Sequence, residues 1–215
     1  SLSLVFQPIV DTASRQTLAF EALARWQHPA LGPVGPAEFI PVAERAGLVP
    51  GLTRALLRQA LAQAAQWPDA VGLSFNLSMH DLASAEELSR LVAIIVDSGL
   101  DPARIDLEIT ETAVMQDTEQ LQAATGRLRG LGCGVTLDDF GSGFSSLSQL
   151  LALPLTRIKI DRRFVSGIQH SPASLKIVKS LLALSRDMEL GCVIADSSAS
   201  GCRILAPAAS SEWAS

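Results

Sequence analysis

In IDLEIT, the stretch Ile105–Thr110, apolar and polar residues alternate strictly. The same alternation recurs in Leu73–Ser78 and in Arg157–Asp161. A period of two predicts strands, and it usually means that one face of the strand lies in solvent. Helical patterns separate these strands, however, so helices should cover the outside of a parallel sheet. We therefore expect the apolar side chains to face the helices and the polar ones to face a shared interior, as in a closed barrel.

Strands and helices alternate along most of the chain. Strands are predicted at Val5–Val10, Leu18–Trp26, Val71–Ser78, Ile105–Thr110, Gly134–Phe140, Arg157–Asp161 and Gly191–Asp196. Helices are predicted at Pro36–Ala46, Leu52–Trp67, Ala85–Ser98, Thr118–Leu131 and Ala173–Met188. Only a short turn joins the first two strands, which indicates a hairpin and hence an antiparallel first strand. The predicted fold class is α/β, a TIM-like (β/α) barrel with an antiparallel first strand.

Size and composition favour one folded domain. The chain has 215 residues, of which 48% are hydrophobic and 18% charged, so it can bury a core and is not disordered in composition. The formal net charge of -5 argues against a nucleic-acid duplex or an anionic membrane as the main partner. The spacing of Cys133, Cys192 and Cys202 fits neither a disulfide framework nor a zinc site, which favours a reducing compartment.

The expected location is the cytoplasm, although the parent protein can be anchored to a membrane. The sequence has no apolar run long enough to cross a bilayer, and it opens without a basic-then-apolar signal segment. It starts at Ser1 rather than at a methionine, and we interpret it as a piece of a longer protein with further domains.

Polar residues gather near the carboxyl ends of the predicted strands, where the mouth of a barrel lies. They are Glu21, Asn76, Glu108, Asp138, Asp139, Lys159 and Asp196. So many carboxylates at one mouth would repel each other, and one lysine does not supply enough countercharge. Ligands that are all oxygens favour Mg²⁺ or Mn²⁺ over zinc, and two such ions suit the hydrolysis of a phosphodiester.

Several short motifs follow one another from about residue 5 to residue 167. They are FQPIV at Phe6–Val10, EAL at Glu21–Leu23, EFIPVAE at Glu38–Glu44, NLS at Asn76–Ser78, EITE at Glu108–Glu111, DDFGSG at Asp138–Gly143 and KID at Lys159–Asp161. In this order the motifs resemble the EAL-domain family of cyclic-di-GMP phosphodiesterases. The resemblance implies hydrolysis of one phosphodiester bond of cyclic di-GMP to linear pGpG, with two divalent metal ions, Mg²⁺ or Mn²⁺, as cofactors.

The resemblance also implies a role for each matching residue. Metal ligands would be Glu21, Asn76, Glu108, Asp138, Asp139 and Asp196, and Asp138 would bridge the two ions. The catalytic residues would be Glu21, Asp138, Asp196 and Lys159, of which Lys159 would hold the attacking water and stabilise developing charge. Substrate would contact Gln7, Arg25, Phe39 and Pro41. Glu111 would anchor the loop Asp139–Ser145.

The resemblance ends near Asp196, where the family has a glutamate. We therefore divide the chain into an incomplete barrel domain, residues 1–196, and a divergent tail rich in serine and alanine, residues 197–215. The eighth strand of the barrel has no counterpart in the sequence, since Ile204-Leu205 is too short and Pro207 opposes its extension. The resulting gap would expose strand edges, so we expect a homodimer. Two functions stay open: an active phosphodiesterase, or a catalytically impaired cyclic-di-GMP receptor or interaction module.

Overall fold

The computed structural model describes residues 1–114, 118–141, 147–166, 168, 170–194 and 202–205. Asp196 lies outside these residues, and of the predicted tail only Cys202–Leu205 is described. The strands are β1 (Leu2–Asp11), β2 (Thr17–His28), β3 (Gly32–Val34), β4 (Gly72–Asn76), β5 (Ile105–Thr110), β6 (Gly134–Phe140), β7 (Arg157–Ile160), β8 (Gly191–Ile194) and β9 (Cys202–Leu205).

The helices include each of the predicted ones and several short ones that the sequence analysis missed. They are α1 (Pro36–Arg45), α2 (Val49–Ala64), α3 (Met79–Leu82), α4 (Ala85–Asp97), α5 (Glu111–Val114), α6 (Thr118–Leu131), α7 (Leu147–Ala152), α8 (Arg162–Val165) and α9 (Pro172–Asp187). In the described part of the chain, none of them has the length and apolarity needed to cross a lipid bilayer.

The strands form one curled sheet of the TIM type. From β2 through β4, β5, β6 and β7 to β8, each strand is parallel to the next. Strand β1 runs antiparallel to β2, as the short turn between them predicted, and Gln7 lies opposite Glu21 in this pair. The short strand β3 extends the sheet outside the ring by pairing with β2.

The predicted gap in the sheet is partly filled, which corrects the expectation of a missing eighth strand. Strand β9 pairs antiparallel with β8 and parallel with β1. It therefore runs opposite to the strand that a further βα unit would supply. Its four residues suffice because an unpaired strand edge offers amides and carbonyls to an extended segment of either direction. Since β9 meets only residues 9–11 of β1, that edge of residues 2–8 has no strand partner among the described residues.

The alternating apolar and polar residues of the strands face the helices and the interior, respectively, as predicted. Leu107 of β5 and Phe75 of β4 belong to the main apolar core, which also contains Leu57 and Leu61 of α2. Their neighbours on the opposite face are polar and still buried: Glu108 is 2% exposed and Ser74 only 1%. The polar face of the strands is therefore the interior of the barrel.

Arg104 fastens α2 to the foot of β5. Its guanidinium donates to the carbonyl oxygens of Ala64 at 3.1 Å, Pro68 at 3.2 Å and Val71 at 2.9 Å. These carbonyls lie at and just beyond the end of α2, where a helix has no partners of its own for its last carbonyl groups. One side chain thus sets the position of α2 against the strands that carry the polar interior.

Candidate functional site

A cluster of three carboxylates and one ammonium lies inside the barrel near its mouth. The Nζ atom of Lys159 on β7 is 2.9 Å from Glu108 Oε2, 3.0 Å from Glu21 Oε2 and 3.4 Å from Asp138 Oδ2. One carboxylate oxygen from each acid lies within 4.8 Å of the others. The four side chains come from β2, β5, β6 and β7, because parallel strands bring their inward-facing residues to one end of the barrel.

Two neighbours fix the acids of this cluster. Asn76, the last residue of β4, donates from Nδ2 to Glu21 Oε1 at 3.2 Å. Ser74, two residues earlier on the same face, donates from Oγ to Glu108 Oε1 at 2.5 Å. The sequence analysis did not select Ser74, although the alternation of β4 places it on the same inward face as Asn76.

Burial shapes the electrostatics of the cluster. The pKa of Glu108 is raised from 4.5 to about 8, first by burial, against the opposing effect of the Lys159 ammonium, and then by the nearby Glu21 and Asp138 carboxylates. Three carboxylates facing one ammonium leave an excess of negative charge at the site. A divalent cation would relieve this repulsion more than a second ammonium could.

A β-bulge sets the two consecutive aspartates of β6 opposite a single residue of β7, although only Asp138 belongs to the carboxylate cluster. The pairing of β6 with β7 is regular up to Leu137, then shifts so that Phe140 faces Ile160. Asp138 and Asp139 thus both lie opposite Lys159, and Asp139 takes the left-handed conformation, with φ of 57°. Adjacent residues on a regular strand point to opposite faces, whereas a bulge re-aims one of them. The pKa of Asp139 is raised, first by burial and then by Asp138 and Asp161.

The structure also places the predicted loop anchor. Glu111 begins α5 directly after β5, is 2% exposed, and accepts a hydrogen bond from the Gly141 amide at 3.1 Å on Oε2. Gly141 has φ of 92°, in the region that favours glycine. Of the predicted loop Asp139–Ser145, residues 142–145 lie outside the described residues.

A large cavity opens beside the cluster. It has a volume of about 860 Å³ and reaches from Glu21 and Asn76 to Phe39 of α1, with mostly apolar walls. Its size and lining are typical of small-molecule sites. Phe39, a predicted substrate contact, therefore lines this cavity.

The other predicted substrate contacts do not line this cavity. Gln7 lies across the β1–β2 pair from Glu21, and Arg25 donates from Nη1 to the carbonyl oxygen of Ala24 at 2.8 Å. Pro41 lies inside α1. Each of these three residues is partly exposed. Arg25 lies on the same strand as Glu21, and Gln7 lies opposite Glu21 on the neighbouring strand β1.

The residues present fit a hard divalent cation. The side chains of the cluster that could bind a metal all offer oxygen atoms. They are the carboxylates of Glu21, Glu108 and Asp138 and the amide of Asn76. Mg²⁺, Mn²⁺ and Ca²⁺ prefer such oxygens at about 2.0–2.6 Å. Oxygens that already lie within 4.8 Å of one another need little movement to surround one ion.

Similar proteins share this architecture. A cyclic di-GMP phosphodiesterase of Pseudomonas aeruginosa is 35% identical over 188 residues, which are 86% of this chain and 32% of that protein. A solved structure of the PaMucR phosphodiesterase in complex with c-di-GMP has a TM-score of 0.87 at 30% identity, covering 94% of this chain and 88% of that one. BlrP1 of Klebsiella pneumoniae, solved as a calcium and cy-diGMP complex, has a TM-score of 0.80 at 25% identity, covering 94% and 54%.

The chain spans only 23% to 32% of the length of the first curated relatives that it matches. A family model described as the EAL domain matches residues 1–196. This match covers most of the chain, and the chain therefore belongs to the EAL domain family.

Proposed function

We propose that this chain hydrolyses one phosphodiester bond of cyclic di-GMP and releases linear pGpG. The observation that carries the proposal is the buried cluster of Glu21, Glu108 and Asp138 around Lys159, at the end of the barrel where the cavity opens. Further support comes from relatives whose names state phosphodiesterase activity and from solved relatives in complex with c-di-GMP.

Two divalent cations, Mg²⁺ or Mn²⁺, would supply the Lewis acidity that activates water and stabilises the departing oxygen. Glu21, Asn76, Glu108 and Asp138 would hold the first ion. Asp138 and Asp139 would hold the second, since the bulge in β6 presents both aspartates opposite Lys159. Asp196, the remaining predicted ligand and catalytic residue, lies outside the described residues and stays a prediction.

The side chains around the ions would bind the substrate, orient the attacking water and stabilise the developing charge. Lys159 would hold the attacking water and then stabilise the negative charge that builds up on phosphorus-bound oxygen. The water oxygen joins phosphorus, the bond from phosphorus to one ribose oxygen breaks, and that ribose oxygen takes up a proton. Arg25 would bind a phosphate by a charged hydrogen bond and Gln7 would contact the dinucleotide. Phe39 and Pro41 would form part of the apolar wall against guanine.

The direct test is to incubate the purified chain with cyclic di-GMP and Mg²⁺ or Mn²⁺ and to separate the products by chromatography. We expect pGpG, and we expect Glu21→Gln to reduce turnover by at least about 100-fold, because the change removes one charged metal ligand. Glu119→Gln on the exposed side of α6 is the matched control and should keep the activity. If Glu21→Gln keeps most of the rate, the metal assignment is wrong.

The alternative function is binding of cyclic di-GMP without turnover. The reversed direction of β9 favours it, since a further βα unit would have brought another carboxyl-terminal strand end to the mouth. Calorimetry with cyclic di-GMP separates the two functions: saturable binding with no pGpG after long incubation identifies a receptor or interaction module.

We also propose a homodimer within a longer parent protein. The side of residues 2–8 of β1 that has no strand partner in the described part of the chain supports self-association, since such an edge can pair with a second copy. The greater length of the curated relatives supports the presence of further domains. Light scattering at several concentrations tests the dimer, and a strictly monomeric chain would contradict it.

A further inference from the structure

Ser74 is a buried serine on the inner wall of the barrel. Its neighbours Leu73 and Phe75 point outward into the main core, where they are 0% and 4% exposed. Ser74 itself is 1% exposed, and in the β4–β5 pair it lies opposite Asp106, while Asn76 lies opposite Glu108. Its hydroxyl therefore reaches Glu108 from the layer below, on the side away from the mouth.

Glu108 is held by one donor at each oxygen. Ser74 donates to Oε1 at 2.5 Å, and Lys159 donates to Oε2 at 2.9 Å. A carboxylate bound in this way has its plane fixed, and the remaining lone pairs of both oxygens are directed by the two bonds. Lys159 also contacts Glu21 and Asp138, so its ammonium is shared, whereas the Ser74 bond orients Glu108 alone among these acids.

We propose that Ser74 is a positioning residue that presents Glu108 to the metal ion. The inference rests on the proposed function, in which Glu108 is a ligand. Partners behind a metal ligand set its orientation and basicity, and their loss typically weakens metal affinity about 10- to 100-fold. A hydroxyl suits this position because it donates to the carboxylate without adding a charge to the buried cluster.

The surroundings of Ser74 allow a clean pair of variants. A second cavity of about 340 Å³ lies at the foot of the barrel and is lined by Ser74 and Glu108 together with the small residues Ala19 and Gly72. It leaves room for one additional branch on the side chain of residue 74. Ser74→Thr and Ser74→Val add a branch of the same size, but only threonine keeps the hydroxyl.

The experiment titrates Mn²⁺ into the metal-free chain by calorimetry, and follows the rise in melting temperature with metal in parallel. We expect Ser74→Ala and Ser74→Val to raise the dissociation constant about 10- to 100-fold, and Ser74→Thr to stay within about threefold of the wild type. Turnover at saturating metal should recover to within about fivefold in all three variants, because Ser74 contacts a ligand and not the substrate. Ser180→Ala, an exposed serine of α9, is the control.

The outcomes separate the two proposals. If Ser74→Ala binds Mn²⁺ as tightly as the wild type, Ser74 does not position Glu108. If Ser74→Thr is as weak as Ser74→Val, the defect comes from packing and the role of the hydroxyl is refuted. A lower melting temperature without metal, at an unchanged dissociation constant, would likewise reduce Ser74 to a structural residue. If the wild type binds no Mn²⁺, the proposed metal site is overturned and the role of Ser74 with it.

Discussion

Replacing Lys159 by methionine removes the only ammonium described within the buried acid cluster and keeps a side chain of similar length. The lysine side chain is 7% exposed, and its carboxylate partners are 6%, 2% and 16% exposed for Glu21, Glu108 and Asp138. Removing one partner of a buried ion pair typically costs about 3–5 kcal/mol, because the remaining charge stays buried and uncompensated. We expect the metal-free variant to lose about 4 kcal/mol of unfolding free energy at about pH 9.5.

The loss should depend on pH in a defined direction. Burial already raises the pKa of Glu108 from 4.5 to about 8, and the Lys159 ammonium restrains this shift. A carboxyl group with a raised folded-state pKa stabilises the protein fully below its unfolded pKa, and that stability is lost as the pH rises through the folded-state value. Without the ammonium the folded-state pKa rises further. The Glu108 carboxyl is thus protonated in both folded proteins at about pH 6, and only the wild type loses this proton as the pH rises through about 8. The loss of stability in the variant should therefore be larger at about pH 9.5 than at about pH 6, by at most about 1.4 kcal/mol per pH unit for each proton.

Urea unfolding in the presence of a chelator, at about pH 6 and about pH 9.5, measures the difference. Lys176→Met, an exposed lysine of α9, is the control for the general effect of losing a lysine. Saturating Mg²⁺ should recover more stability in Lys159→Met than in the wild type, since the cation neutralises the same carboxylates. The reasoning would be refuted if Lys159→Met were as stable as the wild type at about pH 9.5, or if its loss were equal at both pH values.

Further substitutions test other parts of the structure. Arg104→Ala should lower the unfolding free energy by about 3 kcal/mol, because several carbonyls at and beyond the end of α2 lose a charged donor. The surface control Arg127→Ala should change the unfolding free energy by less than about 0.5 kcal/mol, and urea unfolding of both variants measures the difference. Gly141→Ala should destabilise the chain by about 2 kcal/mol, since its φ is 92° and a Cβ would lie 2.8 Å from Phe164 Cε2. Gly126→Ala in α6, with nothing within 4 Å, should instead stabilise by about 0.5–1 kcal/mol, and equal thermal shifts for the two variants would contradict this account. Arg25→Ala should raise KM for cyclic di-GMP more than it lowers kcat, and steady-state kinetics showing the reverse would reject a binding role.

The architecture of the barrel was accessible from the sequence because it depends on local patterns. Strict alternation in β5 separates Leu107, in the core, from Glu108, in the interior, and a period of two allows only these two faces. The hairpin of β1 and β2 follows from the short turn between them. The inward-facing acids then meet at the mouth, since parallel strands end on the same side.

Features that depend on contacts between distant segments were not accessible. The bulge that sets Asp138 and Asp139 opposite Lys159 exists only in the pairing of β6 with β7, and the sequence Asp-Asp alone does not predict it. The bond from Ser74 to Glu108 depends on the relative height of two strands, which the alternation does not specify. The direction of β9 depends on which strand edge lies within reach of the chain. The shortness of Ile204-Leu205 therefore did not predict whether a strand forms there.

The reversed strand β9 separates two tasks that one βα unit normally performs together. Enclosure needs only backbone amides and carbonyls, and β9 supplies them to β8 and to residues 9–11 of β1 whatever its direction. Supplying side chains from a carboxyl-terminal strand end at the mouth also requires the right direction, because only a strand parallel to β8 ends there. Among the described residues, β9 thus closes the sheet against residues 9–11 of β1, whereas residues 2–8 of β1 have no strand partner on that side. A segment from a neighbouring domain or a second copy that pairs with residues 2–8 of β1 would add side chains next to Gln7 and leave the pairing of β9 with residues 9–11 unchanged.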